Sequence, residues 1–405
     1  LAIPTAVADQ PRALITGERA LVLARTLHDQ EMEARILWQM SLAYVYNGNI
    51  EESIVFGERG LKLARTLNLR QQIAQSLHDL GSHSYTYSAR LGKSLSALEE
   101  AAQAWRDFDN LPMLADCLTS ASVSHTFVAN YAEGIAMSTE AMKISLAIDN
   151  VWGQAYSGFK IGMAYWDQGN PALAISTATH CISLARSANF IAPATVTRAD
   201  LALMYAFLGD NERSLATIHS VAEYTTLYTA MDLSLGIMAQ IYLMQGLVEE
   251  AEKTIARKVD LPAQKQWPLF FVYLAIAECQ LSLAQKKYEQ ALVQTTALLI
   301  DLRRYGIKAY IPEALHLQGF AHLGLGNLEM AYQQWQAALA GAMTIGGRWM
   351  QWQILATLSE YTDDTAEKQR LRTEAQALIA YIAERTPPDL REMFLKRPFV
   401  RAVFD

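Results

Sequence analysis

The sequence predicts an all-α solenoid built from antiparallel helix pairs, and three observations carry that prediction. The phrase "GERALVLARTL" beginning at Gly17 returns as "GERGLKLARTL" at Gly57, 40 residues on, with nine of its eleven letters unchanged. A turn built on Gly-Asn or Gly-Asp recurs between two apolar-periodic segments. Small residues also recur at fixed distances on either side of that turn. A period of 20 to 50 residues marks stacked supersecondary units, each too small to bury its own apolar face.

The elements follow in order. The first turn stands in "LAYVYNGNIEES" at Gly48, and the arrangement returns at Gly169, Gly209, Gly246 and Gly326. Weaker copies centre on Gly92, Ala129 and Lys286, so that successive spacings from Gly48 are 44, 37, 40, 40, 37, 40 and 40. A helix-turn-helix unit with helices of about 15 residues fills such a period. Glycine at the turn supplies the left-handed conformation that ends a helix. The "ERxLxLAR" pattern then gives a second helix with Leu and Ala inward and Glu and Arg toward water.

Five residues after each turn stand Ser53, Ala97, Gly134, Ala174, Ser214, Ala251, Ala291 and Ala331. Seven residues before it stand Ser41, Ser122, Gly162, Ala202, Ala239, Cys279 and Gly319. In the second copy Tyr85 breaks the rule, and Gly81 restores it if four residues are inserted before Gly92. Small residues on both helices let two backbones cross closely, where a Leu would push them apart. Four residues before the turn, Tyr44, Tyr165, Tyr205 and Tyr242 recur, bulky enough to fill the wedge between successive pairs.

A small residue, then Tyr, then a Gly-Asp/Asn turn, then Ala-Leu resembles the tetratricopeptide repeat, over residues 8 to about 345. The resemblance implies a right-handed superhelix, with a half-repeat in residues 1–30 and about eight helix pairs through residue 345. Its departure from that family is the period, 40 residues rather than 34. Residues 346–405 read as C-terminal capping helices. "WMQWQILATLSEY" forms one; Asp364 and Glu367 offer a capping box for a second, which Thr386, Pro387 and Pro388 end. The short basic piece "DLREMFLKRPFVRAVFD" shields the last repeat's apolar edge, as solenoid ends require. This tail and the long period resemble the repeat regions of large bacterial signal-transduction ATPases and maltose-activator-like regulators. That implies an attached regulatory ATPase or effector domain. The chain starts at Leu with half a repeat, which points to a segment of a longer protein.

Composition narrows the function. The chain is 405 residues long, 51% hydrophobic and 19% charged, the profile of a well-folded protein. A net charge of −7 argues against direct nucleic-acid binding, which rests on clustered Lys and Arg. Cys117, Cys181 and Cys279 lie far apart without a CxxC, as reduced thiols of a cytoplasmic protein do. No apolar run reaches membrane length: "WPLFFVYLAIA" from Trp267 stops at Glu278. The opening "LAIPTAVA" lacks the basic flank of a secretory signal.

Chemical motifs are few. "LGKS" at Leu91–Ser94 imitates a phosphate loop, but Tyr87 stands where its first Gly belongs. His78 and His83, five apart, do not share a face of an α-helix, and His180 beside Cys181 diverges from it. No HExxH or GxSxG occurs. These readings predict a non-enzymatic module with no catalytic, cofactor or metal site.

What remains is surface. In tetratricopeptide repeats the first helix of each pair lines the concave groove, at offsets −13, −10, −6, −3 and −2 from the turn. Carried onto this sequence, the resemblance implies groove residues Arg35, Trp38 and Tyr46, then His78 and Tyr85 after the insertion. Thr126 and Phe127 follow, then Tyr156, Phe159, Trp166 and Asp167, and later Phe207, Met244, Tyr273, His316 and Phe320. Aromatic rings with polar tips suit a protein or peptide partner or a small inducer. The same stripe at helical spacing equally suits core packing, which makes a structural scaffold without a groove ligand the second reading. A groove predicts rings that are partly exposed on one concavity; a core predicts rings almost wholly buried.

Overall fold

The computed structural model describes residues 10–222, 228–258, 269 and 271–405. The opening "LAIPTAVA" and the start of the apolar run at Trp267 lie outside the described residues. Among the described residues every regular element is helical.

The 40-residue period is two 17-residue helices alternating with three-residue turns. Helix α1 (Gln10–Thr26) is the half-repeat, and α2 (Gln30–Tyr46) with α3 (Ile50–Thr66) is the first full pair. Each helix is thus about a turn longer than the 34-residue repeat allows. Both kinds of turn place one residue at positive φ. Within pairs this falls on Gly48, Gly169, Gly209, Gly246 and Gly326, at φ of 75° to 90°. Between pairs it falls on His28, Asn68, Asp109, Asp149 and Asn189, at φ of 51° to 55°. Asn and Asp tolerate the left-handed region better than other side-chain-bearing residues.

The second pair corrects the expected register. Its turn residue is Ala89, at φ 54°, not Gly92, which lies inside α5 (Leu91–Asp107). Spacings from Gly48 become 41 and then 40, so one residue is inserted rather than four. It is absorbed by a π-helical stretch at Leu80–Tyr85, which continues α4 (Arg70–Asp79). A single π turn is how a helix accommodates one extra residue. The small residue five after this turn is therefore Ser94 instead of Ala97, and Ser94 Oγ donates to Gly81 O at 3.0 Å. Tyr85, four before Ala89, joins the series of Tyr44, Tyr165, Tyr205 and Tyr242.

The pairs continue as α6 (Leu111–Phe127) with α7 (Tyr131–Ala147), then α8 (Val151–Ser157) and α9 (Ile161–Asp167) with α10 (Pro171–Ser187). After these come α11 (Ile191–Leu208) with α12 (Asn211–Ala222) and α13 (Tyr228–Met244) with α14 (Val248–Ile255). Two further pairs are α15 (Phe271–Ala284) with α16 (Tyr288–Tyr305) and α17 (Ile311–Gly324) with α18 (Leu328–Thr344). The small positions sit where helices cross. A Cβ on Gly162 would lie 3.2 Å from Ala174 O, and one on Gly134 would lie 3.3 Å from Ser122 O. Ser41 and Ser214 tie their crossings by donating to Ser53 O and Ala202 O, each at 2.8 Å.

The chain closes with α19 (Arg348–Glu360), α20 (Thr365–Glu384), α21 (Pro388–Leu395) and α22 (Pro398–Arg401). Asp364 caps α20, accepting from Ala366 N and Glu367 N at 2.8 and 3.2 Å. The expected reciprocal bond does not form, because the Glu367 carboxylate is held by Arg370 at 2.7 Å. These last helices do more than cover an edge. Ala172 N donates to Arg385 O at 2.8 Å, Arg348 to Gln168 O at 3.2 Å, and Arg397 to Ala206 O at 3.1 Å. Arg213 pairs with Asp389 at 2.7 Å. The fourth and fifth pairs and the C-terminal helices therefore meet across the superhelix interior.

Candidate functional site: the concave face

Closure divides the concave face into an open stretch over the first pairs and a chamber within the later ones. On the open stretch, α2 presents Arg35, Trp38 and Tyr46. Arg35 is exposed and pairs with Glu31 at 3.0 Å along its own helix. Trp38 is half-buried, its indole N–H donating to Asp79 Oδ2 at 2.6 Å. Tyr46 is 45% exposed, with its ring 6.0 Å from His83, and His83 in turn lies 5.9 Å from Tyr87. Counted from Ala89, the groove offsets select Asp79, His83 and Tyr87. Counting from Gly92 with four residues inserted displaces the choice by one residue, to His78 and Tyr85.

His78 is buried, with Nε2 3.3 Å from Asp116 Oδ2. Tyr85 is also buried; its hydroxyl donates to Glu58 at 2.8 Å and Lys93 lies over its ring, so it faces the second helices. Asp116, on α6, had no aromatic ring to draw attention, although it stands 13 residues before Ala129. Tyr156 and Phe159 are half-buried on the fourth pair, their rings stacked at 6.0 Å, and the Tyr156 hydroxyl is 3.1 Å from Ser120 Oγ.

Electrostatics tie this stretch into one space. Burial, then Asp79 and Asp116, raises the Tyr46 phenol above its ordinary value. Burial, then Tyr46 and Asp116, raises Tyr87, and burial followed by Asp116 and Tyr87 raises Tyr156. All three stay neutral hydrogen-bonding phenols around two carboxylates. Burial holds His83 below the usual imidazole range. His78 goes the other way, because Asp116 and Asp79 outweigh its burial. The π turn matters here, since it swings residues five apart toward a common face, so that His78 and His83 both feel Asp116.

Further along, the offset residues pack. Phe127 is 2% exposed and sits 6.2 Å from Tyr310, and its carbonyl accepts from Ala309 N at 3.2 Å. Trp166 is 1% exposed, between Phe207 at 5.7 Å and Trp349 at 4.2 Å. Asp167 accepts from the Tyr131 hydroxyl at 2.6 Å, and burial pushes its carboxyl up to about 7. The first helix of the fourth pair is broken at Lys160, which takes φ 63° though it carries a side chain. Its buried ammonium donates to both oxygens of Asp200, at 3.0 and 2.9 Å, and to the Tyr273 hydroxyl at 2.8 Å. Tyr310 donates to that same hydroxyl at 2.7 Å. Such a pair offsets its desolvation only with this many hydrogen bonds.

The chamber has a volume of about 730 Å³ and is lined from α9, α11, α13, α15, α17, α19 and α20 and around α22. Phe207, Met244, Tyr273, His316 and Phe320, the later offset residues, all face it. Burial lowers His316 to about 4, so its ring is neutral, and burial with Asp167 nearby raises Glu313 to about 7.

The comparisons bear on the fold. The tetratricopeptide repeat family matches residues 159–187, the end of the broken helix and its partner. The fold is that of tetratricopeptide-like helical repeat proteins. One similar solved structure is the Rap conjugation gene regulator of the plasmid pLS20 in complex with the Phr* peptide. It is 14% identical, with 82% of this chain and 94% of that chain covered and a TM-score of 0.60. A second is a Rap protein complexed with competence and sporulation factor, 12% identical, with 84% and 98% covered and a TM-score of 0.63. No curated protein matches the sequence. Among the described residues no group of His, Cys, Asp and Glu is arranged to hold a metal, and no helix is long and apolar enough to cross a membrane.

Proposed function

We propose that this chain is a non-enzymatic recognition module that binds a peptide, or a peptide-like segment of a partner protein, along the open stretch of its concave face. The observation that carries this reading is the cluster of Tyr46, Tyr87 and Tyr156 around Asp79 and Asp116, with Trp38 and His83 between them. Neutral phenols and half-buried rings take apolar side chains, and the carboxylates take a Lys or Arg of the ligand. The fold shared with a conjugation gene regulator whose structure holds a peptide supports it, and the 14% identity speaks to fold alone. Residues 10–345 act in this reading as the recognition array and 346–405 as a cap that also closes the coil. Binding on the open stretch alters how neighbouring pairs stack, and that change passes to an attached effector or regulatory ATPase domain. The burial of Phe127 and Trp166 favours core packing over ligand contact for those two rings on the third and fourth pairs.

A random pentapeptide mixture passed over the immobilised protein, with retained peptides sequenced, tests this. Retention of peptides pairing a basic with an apolar residue, lost in Asp116→Asn and Tyr46→Ala, is the expected result. Retention unchanged in both variants, or no retention, overturns it.

A further inference from the structure

The wall of the chamber formed by the C-terminal helices offers hydrogen-bond donors without partners. Arg372, on α20, lines the chamber and makes no hydrogen bond or ion pair among the described residues; its Nε is buried and unpaired. Arg397 gives one N–H to Ala206 O, while its Nε has no acceptor among the described residues. The indoles of Trp349 and Trp352, 3% and 1% exposed, also line the chamber, and neither Nε1–H has an acceptor among the described residues. All four groups can donate and none can accept, so the complement they call for is an acceptor-rich anion.

The rest of the chamber is apolar and aromatic, from Met163, Leu203, Phe207, Ile276 and Phe320. An inorganic anion would leave that surface without a partner, whereas an organic acid would cover it. The carboxyls on the facing helices, Asp167 and Glu313, are raised to about 7, which weakens their repulsion of an anion. Glu360, on the donor wall, is exposed.

We propose that the chamber is a second binding site, distinct from the open stretch, for a small carboxylate with an apolar, ring-sized body, its carboxylate held by Arg372 and Arg397. The same chemistry is offered by a free organic acid and by the C-terminal residue of a peptide. Arg372 is the best handle, since replacing it breaks no hydrogen bond or ion pair among the described residues.

The test uses tryptophan fluorescence, because Trp166, Trp349 and Trp352 all line the site. The whole chain is titrated with 3-phenylpropionate and separately with 3-phenylpropanamide, its neutral isostere. The expected result is saturable quenching by the acid, at least about tenfold weaker for the amide, and loss of that preference in Arg372→Met. A tripeptide ending in free Phe and its C-terminal amide form a second arm. Stronger binding of the tripeptide acid than of phenylpropionate assigns the site to a peptide terminus, and the reverse assigns it to a free acid. Equal binding of acid and amide, a preference that survives Arg372→Met, or no saturable quenching in either arm overturns the proposal. None of these outcomes depends on peptide capture by the open stretch.

Discussion

The indole of Trp166, in the fourth helix pair, lies 4.2 Å from that of Trp349, in the first helix beyond the eighth, centroid to centroid. That contact joins parts of the chain that a simple solenoid keeps apart, since each repeat there touches only its neighbours. With Phe207 at 5.6 Å and Phe394 at 5.7 Å from Trp349, it forms an aromatic joint that converts an open coil into a closed one.

Trp166→Ala and Trp349→Ala should each cost about 3–5 kcal/mol, the usual range for emptying a buried Trp site. Because the rings touch, the double variant should cost less than the sum. Urea denaturation of the three variants measures this; additive losses, or losses within about 0.5 kcal/mol, would remove the joint from the account.

Close crossings set a second expectation. Ala174 and Ala331 are fully buried, and Trp335 lies against Gly319 at the latter crossing. Ala174→Leu and Ala331→Leu should destabilise by about 1–3 kcal/mol, while Glu249→Leu, on an exposed face, stays within about 0.5. Thermal melts decide it, and equal shifts for all three would contradict the crossing assignment.

The Lys160–Asp200 pair predicts an asymmetry. Lys160→Met leaves a buried carboxylate opposite nothing and should cost about 3–5 kcal/mol, whereas Lys160→Met with Asp200→Leu should recover most of it. A double variant as unstable as the single would show that the hydrogen bond from Lys160 to the Tyr273 hydroxyl, not the pair's charge balance, holds the broken helix.

Acidity gives a fourth. The Asp167 carboxyl, at about 7, lies above its unfolded value of 3.8. A folded value raised this way contributes stability that is complete below the unfolded value and is lost as pH rises through about 7. Asp167→Asn keeps an acceptor for Tyr131 but cannot ionise. Its melting temperature relative to the parent should therefore climb from about pH 5 to about pH 8. A difference that is flat or falls with pH contradicts the assignment.

The repeat was legible because each pair makes the same stereochemical demand, a close crossing and a left-handed turn, and both leave marks in single letters. The second pair was misread where those marks misled. Gly92 looked like the turn residue, while the true one, Ala89, carries a methyl group; Tyr85 at four before Ala89 was the overlooked sign. Taking Gly92 as the turn with four residues inserted sets the groove register one residue short of Ala89, which selects His78 and Tyr85 in place of Asp79, His83 and Tyr87. Closure of the coil left no local trace, because Trp166 and Trp349 look like any aromatic at helical spacing. Which groove positions are open is decided by contacts between distant pairs.

Amide hydrogen exchange, with and without a peptide recovered from the pentapeptide mixture, tests the central claim most directly. The recognition reading predicts slowed exchange on the first helices of the first four pairs, over 35–46, 76–87, 113–120 and 152–159. Protection confined to the second helices, or to the chamber helices beyond residue 196, would contradict it.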